Sequence, residues 1–157
     1  MTEEEQKKKR PKKKGNTKSR TLLELKVIKI FTKLKYQCER AKHTTYINRY
    51  TKKIQSKHND FFKAWDIIAT KDLITIYIQV TSGSYESLRY HMRKIEANWK
   101  QARSINLLYY YQKDKKNRWI PTIRTYQEKE WILIEDPEIW LETYLSNTPL
   151  QIKEAPF

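Results

Sequence analysis

Glycine is almost missing from this chain. Gly15 and Gly83 are its only two in 157 residues, so the glycine-rich loops that cradle phosphates in P-loop and dinucleotide-binding folds have no raw material. Nucleotide-cofactor chemistry of those kinds is excluded. One cysteine, Cys38, rules out an intramolecular disulfide, and with the scattered His43, His58 and His91 it makes no tetrahedral zinc set. That cysteine usage fits an intracellular setting. No apolar run approaches the roughly 20 residues of a membrane span, and the N-terminus lacks the apolar core of a secretory signal. A soluble protein with no membrane partner is therefore expected.

Acidic residues are the other scarcity. Against 33 Lys and Arg stand 18 Asp and Glu, a formal charge of +15. The imbalance is uneven: residues 1–20 carry nine basic side chains and three acidic ones, residues 21–127 carry 22 and eight, and residues 128–157 carry two and seven. The first segment has no large apolar residue after Met1, which predicts a disordered basic arm over 1–20. The folded domain is expected over 21–157. A polyanion, DNA in particular, is the simplest partner for the positive first two thirds, because each phosphate neutralised by Lys or Arg releases condensed counterions.

Apolar periodicity predicts a helix over about residues 22–42, started by the capping-box spacing Thr21-Leu22-Leu23-Glu24 and carrying Leu23, Val27, Ile30, Phe31, Leu34, Cys38 and Ala41 on one stripe. Residues 45–50 alternate as a strand does, and 51–60 read as a polar basic loop. Ala64–Ala69 and Leu73–Thr81 predict a hairpin turning at Thr70-Lys71-Asp72. In its second strand Ile74, Ile76, Ile78 and Val80 face the core, and Gln79 lies on the other face. After Gly83, Ser84 caps a helix with Tyr85, Leu88, Met92, Ile95, Trp99 and Ala102 at steps of three and four. An antiparallel meander over 105–134 and a short helix starting at Asp136-Pro137-Glu138 complete the chain. The expected fold class is α+β in a single domain, a central, mostly antiparallel sheet packed by helices.

The order helix, strand, hairpin with Asp66 in its first strand and Ile78-Gln79-Val80-Thr81 ending its second, then helix, resembles the core of restriction-endonuclease-like nucleases over about residues 22–102. The whole chain also resembles the small nucleases of archaeal filamentous viruses. The resemblance implies a metal-dependent deoxyribonuclease, acting in viral genome processing or degradation of host DNA, with Mg²⁺ or Mn²⁺ as cofactor. Position by position it makes Asp66 the metal-binding aspartate and Gln79 the Glu/Gln of the second strand. Thr81 stands where the family has lysine, and threonine supplies a hydrogen bond without a positive charge. Lys71, Arg93 and Lys94 are the nearest candidates to supply that charge.

Scarcity points to the same region. Phosphodiester hydrolysis needs carboxylates within the basic surface to hold a metal and orient water, and residues 21–127 offer only Glu24, Glu39, Asp60, Asp66, Asp72, Glu86, Glu96 and Asp114. Glu24 is assigned to the cap, Asp72 and Asp114 to turns, and Glu39 and Glu96 to helix flanks, which leaves Asp66, Glu86 and Asp60. Glu86 falls in the first turn of the second predicted helix, with Arg89, Tyr90 and Arg93 on its face. A carboxylate flanked by arginines suits water activation or metal binding beside a phosphate; the bland reading is an acid on the helix dipole with surface pairs. The expected site is Asp66, Gln79 and Glu86 as catalytic residues, Asp66 and Glu86 as metal ligands, and Arg89, Arg93, Lys94, Lys71 and Thr81 on DNA. The alternative is a non-catalytic DNA-binding protein for packaging or regulation, which the missing lysine favours. Tyr109, Tyr110 and Tyr111 alternate faces, so one points inward and its flankers are free to stack on bases.

Overall fold

In the computed structural model, residues 17–99 and 104–147 are described. A first helix, α1 (Thr17–Lys33), leads into β1 (Gln37–Arg40), a hairpin of β2 (His43–Ile47) and β3 (Ile54–His58), then β4 (Ile67–Lys71) and β5 (Ile74–Ser82). Helix α2 (Tyr85–Asn98) follows, then β6 (Ser104–Lys113), β7 (Trp119–Gln127), β8 (Glu130–Ile134) and α3 (Pro137–Asn147). Six strands form one sheet in the order β1-β4-β5-β6-β7-β8, and β2 and β3 pair only with each other. Every neighbour in the large sheet is antiparallel except β5 and β6, which run parallel with α2 as their crossover. The protein is α+β in one domain, as expected from the pattern of elements.

Both faces of the sheet are covered. On one, Leu23, Val27 and Phe31 of α1, four residues apart, pack on Ile67, Ile76, Ile78 and Val80, with Leu141 of α3 in the same cluster. On the other, Leu88 and Ile95 of α2 meet Trp65, Leu108 and Tyr110. Each such fully buried side chain contributes about 1.5–3 kcal/mol relative to exposure. No helix among the described residues is long and apolar enough to cross a membrane.

Several local expectations are corrected. The first helix begins at Thr17, inside the segment read as a disordered arm, and ends at Lys33 rather than near residue 42; residues 1–16 of that arm lie outside the described residues, as does Ala102. The helix stops because Lys35 turns left-handed (φ 69) and two backbone bonds, Tyr36 N–H to Phe31 C=O and Lys35 N–H to Thr32 C=O, close a Schellman turn. Thr21 is therefore interior, and Cys38 belongs to β1. Residues 54–58, read as loop, form β3. The β4–β5 turn is Asp72-Leu73, which leaves Lys71 paired with Ile74 inside the strands.

Candidate functional site

The end of β5 and the start of β4 meet at one edge of the sheet, because the two strands run antiparallel with Ile67 opposite Ile78. Asp66 enters that edge held from both sides: its N–H donates to Ile78 C=O at 3.0 Å, and its own C=O accepts from Ala41 N–H at 2.7 Å. Its side chain is 3% exposed. Oδ2 accepts from the Gln79 amide at 2.7 Å and from Val80 N–H at 3.0 Å, and Oδ1 accepts from Arg20 Nη2 at 2.8 Å. The Gln79 nitrogen also faces Val80 C=O at 3.2 Å. Two acceptors fix the orientation of that amide, so its Oε1 is turned inward, buried and without a hydrogen-bond partner among the described residues.

Arg20 is the cation of this edge. Its guanidinium spans Asp66 and Glu24, with Nε 3.3 Å from Glu24 Oε1, and Arg40 approaches the other Glu24 oxygen at 3.7 Å. Glu24 is buried and holds two arginines instead of capping a helix. Burial pushes the Asp66 carboxyl up from 3.8 to about 7; Arg20 and the Val80 amide pull the other way, and Glu24 and Asp60 add to the rise. Asp60 in turn binds Lys94 at 3.1 Å and keeps a buried Oδ1 that has no hydrogen-bond partner among the described residues. His91, buried on α2 beneath this region, is lowered from 6.5 to about 4 by burial first and by Arg20 and Lys94 next.

Helix α2 starts at the same edge. Ser84 caps it by accepting from Ser87 N–H at 3.2 Å, and the Thr81 and Ser87 hydroxyls lie 3.1 Å apart. Gly83 adopts φ +105, a backbone that side-chain-bearing residues avoid, and Tyr110 OH donates to its carbonyl at 2.8 Å. These contacts fix where Glu86 stands. Glu86, Arg89, Tyr90 and Arg93 are all exposed, and among the described residues no ion pair joins Glu86 to either arginine.

The structure thus brings Asp66 and Gln79 into contact and puts the start of α2 at their end of the sheet, but it does not join Glu86 to them by any hydrogen bond or ion pair among the described residues. Several expected roles change. Thr81 is buried with its hydroxyl on Ser87, so it offers nothing to DNA. Lys71 sits at the opposite end of the sheet, five residues along β4 and about 16 Å away at strand spacing. Its Nζ donates to Leu34 C=O at 3.2 Å and lies over the Tyr36 ring. Lys94 is engaged by Asp60. Tyr109, Tyr110 and Tyr111 are all buried, which removes the expected base-stacking flankers: β6 is an interior strand with helices over both faces.

A resident Mg²⁺ shared by Asp66 and Glu86 does not fit these residues. Both Asp66 oxygens are already occupied, a guanidinium stands where a cation would have to go, and Glu86 belongs to the exposed face of α2. Among the described residues no three of His, Cys, Asp or Glu converge as a ligand group. Arg20 was missed because it falls in the basic arm; its one signal in the sequence was the spacing of four residues to Glu24. The chain matches no protein-family model and no curated protein.

Proposed function

We propose that this chain is a deoxyribonuclease whose reacting carboxylate is Glu86, on the exposed, basic face of α2. The observation that carries the reading is the exposed Glu86 carboxylate, without an ion pair among the described residues, sharing one helical face with the exposed Arg89 and Arg93 beside the end of the sheet where Asp66, Gln79 and Arg20 are drawn together. The helix N-terminus favours an anionic group there, and the arginines suit phosphate oxygens. In the proposed reaction Glu86 accepts a proton from water as the water oxygen bonds to phosphorus. The bond from phosphorus to the leaving oxygen breaks, and that oxygen takes a proton from solvent. Arg89 and Arg93 offset the charge that develops on the phosphorus oxygens. Arg20 pairs with one oxygen of Asp66, whose other oxygen takes the Gln79 amide. It holds Asp66 and Gln79 in place, so these are positioning residues in this reading. The activity belongs inside a cell, on viral or host DNA.

The test is cleavage of plasmid and linear duplex DNA in Mg²⁺, Mn²⁺ or EDTA by the native protein, Glu86→Gln and Asp66→Asn. Glu86→Gln is expected to lose about 100-fold or more of the rate and to keep its affinity for DNA. Undiminished cutting by Glu86→Gln would overturn the assignment. The second reading, DNA binding without catalysis, is favoured by the internal neutralisation of Asp66 by Arg20. It prevails if the native protein binds DNA and cuts none in any of these conditions.

A further inference from the structure

The β2–β3 hairpin stands apart from the rest of the fold. It adds no strand to the large sheet, and every side chain described from Thr44 to Gln55 is exposed except the half-buried Asn48. A two-stranded hairpin with both faces in water is marginal by itself, yet this one carries Ile47 opposite Ile54 and leaves Ile54 78% and Tyr50 96% exposed. Apolar residues at such positions add nothing to the fold.

Its charge says what it meets. From Lys42 to His58 the chain has five Lys and Arg and no Asp or Glu. A second copy of the same ribbon would be repelled, and an acidic surface or a polyanion attracted. The tip is built for display. Asn48 accepts from Tyr50 N–H at 2.9 Å and Thr51 N–H at 3.2 Å through its side chain, Asn48 N–H donates to Lys53 C=O at 3.0 Å, and Lys52 takes a left-handed backbone (φ 55). The loop therefore holds Arg49, Tyr50, Lys52 and Lys53 outward in a fixed arrangement.

We propose that the β2–β3 ribbon is a duplex-DNA-binding arm, entering the major groove with Arg49, Lys52 and Lys53 on the flanking phosphates and Tyr50 at its leading end. Two strands about 4.8 Å apart, with their side chains, match a groove about 12 Å wide, which admits a β-ribbon. The inference rests on DNA being the substrate class proposed above. It is read by binding alone, so its failure is separable from failure of the nuclease reading.

The experiment measures anisotropy of a labelled 24-base-pair duplex in EDTA over a range of KCl concentrations; that length is about two helical turns. It compares the native protein with Arg49→Ala/Lys52→Ala/Lys53→Ala, with Tyr50→Ala, and with Lys115→Ala/Lys116→Ala/Lys129→Ala. The last removes equal charge from exposed turns elsewhere. All altered positions are exposed, and thermal unfolding checks that each variant is folded. The ribbon variant is expected to lose about two to three from the slope of log K against log salt, near 0.9 per lost phosphate contact. Tyr50→Ala is expected to weaken binding with the slope unchanged. An unchanged slope in the ribbon variant, or an equal loss in the turn variant, would overturn the proposal, as would ribbon-dependent binding to duplex RNA or anionic vesicles as strong as to duplex DNA. Lost cleavage with the slope difference intact would sink the nuclease reading and leave the arm standing.

Discussion

The Gln79 side-chain amide donates to Asp66 Oδ2 across 2.7 Å, on the opposite side of the carboxylate from the Arg20 guanidinium on Oδ1. A neutral donor and a charged donor thus divide one buried carboxylate between two strands and a helix. Substitutions along this line are felt in the sheet and in α1 together.

Acid dependence of stability is the first expected consequence. The folded Asp66 carboxyl titrates near 7 in place of 3.8, so its stabilising contribution is complete below its ordinary value and is lost as pH rises through about 7. His91 is the reverse: lowered to about 4 from 6.5, it contributes fully above its ordinary value and loses that as pH falls through about 4. Between those limits the two slopes oppose each other. Urea unfolding should show stability falling on acidification in Asp66→Asn and rising in His91→Gln, with the native protein flatter than both. Identical slopes in all three would assign the pH response to other groups.

Arg20→Met should destabilise the fold by about 2 kcal/mol at neutral pH, below the roughly 3–5 kcal/mol of a broken, fully buried pair, since the Arg20 side chain is about a third exposed. The loss should shrink toward pH 5, where Asp66 is protonated and needs no counter-ion. In Arg20→Met/Asp66→Asn the effects should be less than additive. Additive losses at every pH would mean that the contact with Asp66 contributes nothing.

Tyr110→Phe removes the hydrogen bond to Gly83 C=O, and about 1 kcal/mol of stability should go with it. DNA cleavage, measured at a temperature where the variant is fully folded, should fall further than that loss explains, because the bond fixes the turn from which Glu86 is presented. Unaltered cleavage would show that the turn holds its place without the tyrosine.

Lys71→Met should leave cleavage and DNA affinity unchanged. The lysine satisfies a carbonyl at the end of α1, at the far end of the sheet, so the expected effect is a stability loss of about 0.5–1.5 kcal/mol. A large fall in cleavage would return Lys71 to the site.

Much of the fold was legible where one physical signal dominated. The alternation through Ile74, Ile76, Ile78 and Val80 located β5 and its core face, and the steps of three and four through Leu88 and Ile95 located α2. The helix end at Lys35 was hidden, because the left-handed position that glycine usually marks is filled by lysine, and the apolar stripe continues by coincidence into β1. Strand β3 was hidden because Ile54-Gln55-Ser56-Lys57-His58 has no apolar alternation to display. Glu86 could be picked out in the sequence because acids are scarce in a basic stretch. The clasp of Arg20 on Asp66 could not, since it links residues 46 positions apart.

Strand β5 has an antiparallel partner on one side and a parallel one on the other, and the two pairings close loops of very different length. Its pairing with β4 needs only the two-residue turn at Asp72-Leu73, so that hairpin can form within microseconds. Pairing with β6 closes a longer loop that contains the whole of α2, at a greater entropic cost. The turn that brings Asp66 and Gln79 together is thus local in sequence, whereas the placement of Glu86 and its arginines depends on the long crossover from β5 to β6.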